Sequence, residues 1–259
     1  MVFLLAAIPI SLAAVLISLN FFWSSEPEVN KAAIVDQGSL SPVGGPNPVF
    51  IETATNILEE AGYTVDYYPG EEVTVEFYKN LPTHNYDIII LRVHSSTVTA
   101  LKGNEIAEAP ICLFTSEDYS RTRYVKEQLS GQLAIARYFV PETLCYFGIK
   151  PAFVTISMNG KFQNTTVLMM GCEGLENNSM AEAFIEKGAT AYISWSQSVS
   201  DNYADQATIY LLQHLLTGNQ TIEQAVENTM EEIGPDPPYN SLLIYYPISS
   251  GNYTIEKPD

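Results

Sequence analysis

Basic residues are scarce in this chain: 12 Lys and Arg stand against 30 Asp and Glu, giving a formal net charge of −18 at pH 7. A surface of that sign repels phosphate backbones, which sets nucleic acid aside as a partner and favours cationic ones. Cysteine is scarcer still. Cys112, Cys145 and Cys172 are too few for a disulfide scaffold, and no two have Cys-x-x-Cys spacing, so structural zinc and thioredoxin-like chemistry have no support. Two readings stand for Cys112, which lies in the apolar run Ile111-Cys-Leu-Phe114: a disulfide with Cys145 in an oxidising compartment, or a buried reduced thiol. With only three histidines, each can be weighed in turn. No module repeats along the chain.

One stretch lacks charge altogether. From Met1 to Leu19 no residue is ionisable, and a helix of that length spans the hydrocarbon of a bilayer, with Phe21, Phe22 and Trp23 at its interfacial edge. The segment has neither a basic start nor a clean small-x-small cleavage site, so residues 1–23 read as a membrane anchor, with a cleaved signal as the alternative. Glycosylation-type triplets at Asn164, Asn177, Asn219 and Asn252 fit a domain outside the cytoplasm, anchored to the membrane or secreted if the segment is removed. Residues 24–30 form a polar linker, and residues 31–259 a single domain with an insertion at about 96–165.

Within the domain, apolar strand-like runs alternate with helical patterns. The first strand covers residues 32–36. A Gly/Pro/Ser loop follows, then a helix that Asn47 and Pro48 open and Gly62 ends. Further strands are expected at 64–68, 87–93, 190–195 and 241–246, and helices at 73–81, 180–187, 203–216 and 222–233. Ser179 with Glu182 and Thr221 with Gln224 read as capping boxes. Inside the insertion a short strand at 111–114, helix around 120–135 and a β-ribbon at 152–156 are expected. The alternation predicts a three-layer α/β/α sandwich on a mostly parallel sheet of about six strands.

Two of these runs end in reactive side chains: Asp87-Ile-Ile-Ile-Leu-Arg-Val-His94 and Thr166-Val-Leu-Met-Met-Gly171-Cys172. Uninterrupted apolar runs of this length are buried parallel strands, and ligands bind beyond the carboxyl ends of such strands. His94 and Cys172 are therefore a candidate general base and nucleophile. Cys172 lies between Gly171 and Gly174, where the backbone turns tightly, and ahead of a helix. His84 falls in a turn and His214 among Tyr210, Leu211, Leu215 and Leu216 on a core helix, so neither competes. Glu173 reads as a solvent or helix-end charge.

The order of apolar strand–His followed by apolar strand–Gly-Cys resembles the caspase-like cysteine peptidases. The similarity covers residues 32 to about 246 and is closest to gingipain-like and CHAT domains over Met180-Ala-Glu-Ala-Phe-Ile-Glu-Lys-Gly-Ala-Thr-Ala-Tyr-Ile-Ser-Trp195. The resemblance implies a thiol peptidase that needs no metal or cofactor and acts on a peptide or protein. It gives His94 and Cys172 the proton-transfer and nucleophilic roles, and the backbone amides of Ser95 and Cys172 the oxyanion site. It also places Asp36 and Trp195 in the first specificity pocket, an acid and an aromatic wall that would suit Arg or Lys. Three features depart from the pattern: Ser95 stands where the family usually has glycine, the His–Cys interval exceeds the roughly 50 residues of caspases, and Met170 stands two residues before the cysteine, where some arginine-specific members have an acid. A catalytically inactive binding or scaffolding relative is the alternative.

Overall fold

A computed structural model describes residues 30–42, 44–98, 101–102, 105–106, 110–138 and 144–255. Residues 1–23, read above as an anchor, lie outside this set; among the described residues no helix is long and apolar enough to cross a membrane. The elements run β1 (Lys31–Asp36), α1 (Pro48–Glu60), β2 (Thr64–Pro69), α2 (Val75–Asn80), β3 (Ile88–Leu91) and β4 (Ser95–Thr97). Next come β5 (Leu101–Lys102), β6 (Glu105–Ile106), β7 (Ile111–Asp118), α3 (Val125–Leu129), β8 (Leu133–Arg137), β9 (Cys145–Ile149) and α4 (Pro151–Ile156). The chain closes with β10 (Thr166–Met169), α5 (Ser179–Glu186), β11 (Ala191–Trp195), α6 (Asp201–Leu212), α7 (Ile222–Ile233) and β12 (Leu243–Tyr246).

The protein is mixed α/β, built on a six-stranded sheet of order β12-β11-β10-β3-β1-β2. Every neighbouring pair is parallel except β11–β12, so the last strand closes the edge antiparallel. Burial on both faces explains why the central strands read as unbroken apolar runs. Alternate residues serve opposite faces: Ala33, Val35, Ile89, Leu91, Val167 and Met169 join one core with α2, α4 and α5. Ala32, Ile34, Ile88, Ile90, Leu168 and Ile193 join the other with α1, α6 and α7.

A second, four-stranded antiparallel sheet, β4-β7-β9-β8, fills much of the stretch between His94 and Cys172. Several expectations change here. The 152–156 run, rich in strand-favouring residues, is the helix α4, because Pro151 sets its first turn and Phe153 and Val154 bury against the core. The helix expected around 120–135 is only α3, and the last residues of that stretch begin the strand β8. Thr221 and Gln224 form the expected capping box, whereas Ser179 caps nothing: Asn178 is the N-cap of α5, and the Ser179 hydroxyl accepts from the Ile111 amide at 3.1 Å. All three cysteines are free; Cys112 is the buried thiol, not half of a disulfide.

Candidate functional site

β3 and β10 are hydrogen-bonded neighbours in parallel register, with Leu91 opposite Met169, and the ladder extends through Met170 N to Leu91 O at 2.9 Å. His94 and Cys172 each lie three residues past that last matched pair. They leave the sheet side by side at its carboxyl edge, His94 next to β1, where the strand order reverses. The two segments touch: the Ser95 hydroxyl donates to the Cys172 carbonyl, and a Cβ on Gly171 would run into Val93 O and Ser95 Oγ. Only glycine permits that crossing.

Both reactive side chains line one cleft of about 910 Å³, shared with Tyr138, Glu173 and Asp201. Phe114 and Tyr138, from the small sheet and its margin, form its aromatic side; the His94 ring meets Tyr138 edge-on at 5.1 Å between centroids. Gln37 holds this arrangement from beneath. Its side-chain oxygen accepts from the His94 amide at 3.0 Å and its nitrogen donates to the Tyr138 hydroxyl at 2.7 Å.

The thiol is held elsewhere. Val199 N donates to Cys172 Sγ at 3.4 Å, and Sγ donates to Val199 O at 3.5 Å, so its hydrogen bonds run to the loop after β11. Burial, reinforced by the Asp201 and Glu173 carboxylates, pushes the thiol above its ordinary pKa against the opposing Val199 and Ser198 contacts. Burial also lowers His94, helped by Arg92 and opposed by Asp201. The resting pair is therefore a neutral thiol and a neutral imidazole. Iodoacetamide alkylation of Cys172, followed by peptide mapping, is expected to accelerate only on the alkaline side of an ordinary thiol. A rate already at its plateau in mildly acidic buffer would mean a preformed thiolate–imidazolium pair instead.

β4 turns one edge toward Cys172. The bonds Phe114 N to His94 O and Val98 N to Pro110 O set the parity of the β4–β7 ladder, so the Ser95 and Thr97 amides point away from β7. Thr97 N accordingly meets the Glu173 carboxylate at 2.9 Å. The Ser95 amide shares that direction. Glu173 is thus no solvent charge. Its backbone adopts φ 61°, and its carboxylate also accepts from Ser198 Oγ at 3.2 Å, joining the two sides of the cleft.

Asp36 and Trp195 are not available to a substrate, each being 1% exposed. The Asp36 carboxylate accepts from Arg92 at 2.7 Å, from the Ser39 amide at 3.0 Å and from Tyr67 at 3.1 Å. Trp195 packs in the core on the Tyr203 ring at 5.8 Å. Strand ends bring both near the carboxyl edge, but their side chains turn inward. Besides Glu173, the acid that faces the cleft is Asp201, the first residue of α6, which also lines a small chamber behind His94. The sequence signal for it is an acid at a helix start, a short loop after a buried strand, a pattern usually explained by the helix dipole alone.

The fold and site define a mixed α/β protein with a Cys/His-lined cleft at the carboxyl edge of a mostly parallel sheet. No protein-family model matches the chain, and no curated protein does. Among solved structures, the crystal structure of a Geobacter sulfurreducens protein, a structural-genomics target, aligns with 87% of this chain and 97% of its own at a TM-score of 0.47 and 13% identity.

Proposed function

We propose that the protein is a cysteine endopeptidase of caspase-like type, held outside the cytoplasm by residues 1–23. The observation that carries this reading is the emergence of His94 and Cys172 at matched positions past adjacent parallel strands into one cleft. In the reaction the thiol turns from Val199, passes its proton to His94, and its sulfur attacks the peptide carbonyl carbon. The developing oxyanion is met by the amides of Ser95 and Cys172. The C–N bond then breaks and the leaving amine takes the proton from His94. Water, deprotonated by His94, attacks the thioester, the C–S bond breaks, and His94 passes that proton to the departing sulfur to restore the thiol.

Substrate preference follows from Asp201 rather than from Asp36. A half-buried carboxylate beside the aromatic surfaces of Phe114 and Tyr138 suits an Arg or Lys side chain. An arginyl acyloxymethylketone is expected to label Cys172 in preference to its leucyl analogue, and Asp201→Asn to reduce that preference about tenfold, the scale of one charge-assisted hydrogen bond. Equal labelling of both probes would remove the specificity claim. A second reading, a non-catalytic binding module of the same type, is favoured by the thiol's bonds to Val199 instead of His94. Failure of every such probe to label Cys172 in folded protein would select it.

A further inference from the structure

Asp236 is 0% exposed, and neither of its carboxylate oxygens has a hydrogen-bond partner among the described residues. A buried carboxylate in that condition is costly, because it loses its water and gains no donor in exchange. The local sequence explains the missing donors. An aspartate at a turn normally accepts from backbone amides just ahead of it, but Pro237 and Pro238 have no N–H to give. The Asp236 backbone is itself fully engaged, its amide donating to Ser241 O at 3.0 Å and its carbonyl accepting from Asn240 N at 2.7 Å.

Further oxygens collect nearby. Gly234, at φ +74°, turns the chain sharply after α7, and the Tyr203 hydroxyl lies 2.7 Å from both Ile233 O and Gly234 O. A phenol has one hydrogen, so the two carbonyls share a single donor there and keep lone pairs to spare. Asp236 follows Gly234 by only two residues, across Pro235, so its carboxylate belongs to the same short segment as these carbonyls. One carboxylate, two carbonyls and a phenol oxygen, short of hydrogens, make an oxygen donor set suited to a hard cation.

We propose that Asp236, with the carbonyls of Ile233 and Gly234 and the Tyr203 oxygen, binds a hard cation of the calcium type. The site adjoins the cleft without belonging to it. Tyr239, in the same turn, lines the cleft, and Ser241 bonds through Oγ to both Gln197 N and Gln197 O, whose carbonyl accepts the Glu173 amide. A bound cation would fix the proline-rich turn that presents Tyr239 to the substrate.

The test uses the full chain in detergent, stripped with EDTA, in buffer of physiological ionic strength. Isothermal titration with CaCl2 is expected to show one saturable equivalent with a Kd of about 10⁻⁴–10⁻³ M, the range of extracellular calcium modules. The melting temperature should rise over the same concentrations. Asp236→Asn should abolish both responses while melting no lower than the cation-free wild type. MgCl2, NaCl and KCl in parallel identify which hard cation fits best. Absence of a saturable equivalent with all four ions in the wild-type chain overturns the proposal, whatever the variant does. An unchanged response in Asp236→Asn overturns it too, since the binding would then belong to the acidic surface.

Discussion

Alanine at position 172 is expected to lower peptide hydrolysis by at least about 10³-fold, with the fold retained. Removal of a covalent nucleophile leaves only binding and oxyanion contributions, and losses of this order or more follow in enzymes that work through one. The structure supplies internal controls. Cys112 is buried in β7 and Cys145 lies on β9 beside Arg137, whose guanidinium approaches its sulfur at 3.0 Å. Cys145→Ala should therefore keep full activity. His94→Ala should fall with Cys172→Ala, and the double variant should be no worse than either single one, because the two act as a unit. Initial rates on arginyl and lysyl peptides decide the matter; a Cys172→Ala protein that hydrolyses them as fast as wild type would end the peptidase reading.

Arg92→Met is expected to destabilise the protein by about 3–5 kcal/mol, the cost typical of removing one member of a buried ion cluster. Arg92 donates to Asp36 at 2.7 Å and makes a two-pronged contact with Asp205 at 2.8 and 3.1 Å, all beneath the site. Its burial disfavours charge, yet Asp205 and Asp36 outweigh that and hold the guanidinium above the ordinary arginine pKa. Methionine replaces the volume and strands two carboxylates. Urea denaturation measures the loss, and adding Asp36→Asn and Asp205→Asn to Arg92→Met should recover much of it. A single variant as stable as wild type would show that the triad carries no net burden of desolvated charge.

Arg92 also shows where sequence reading stops. The unbroken apolar runs identified the central strands, since burial on both faces leaves no alternation, and the same runs pointed to His94 and Cys172 at one edge. Asp36 was legible as an acid at a strand end, but its role depended on Arg92, which lies 56 residues away and meets it only across β1 and β3. Asp201 is not legible for a related reason: its carboxylate reaches the cleft only because the loop after β11 returns to Cys172. The run at 152–156 reads as a strand because its β-branched residues suit one, while Pro151 and the packing of Phe153 make it a helix turn.

The carboxylate of Glu173 takes the Thr97 amide from the small sheet and the Ser198 hydroxyl from the loop after β11. The two banks of the cleft are thereby spaced by the reach of one side chain. Glutamate has one methylene more than aspartate, so the spacing of the two banks is calibrated by a single carbon atom at the residue next to Cys172.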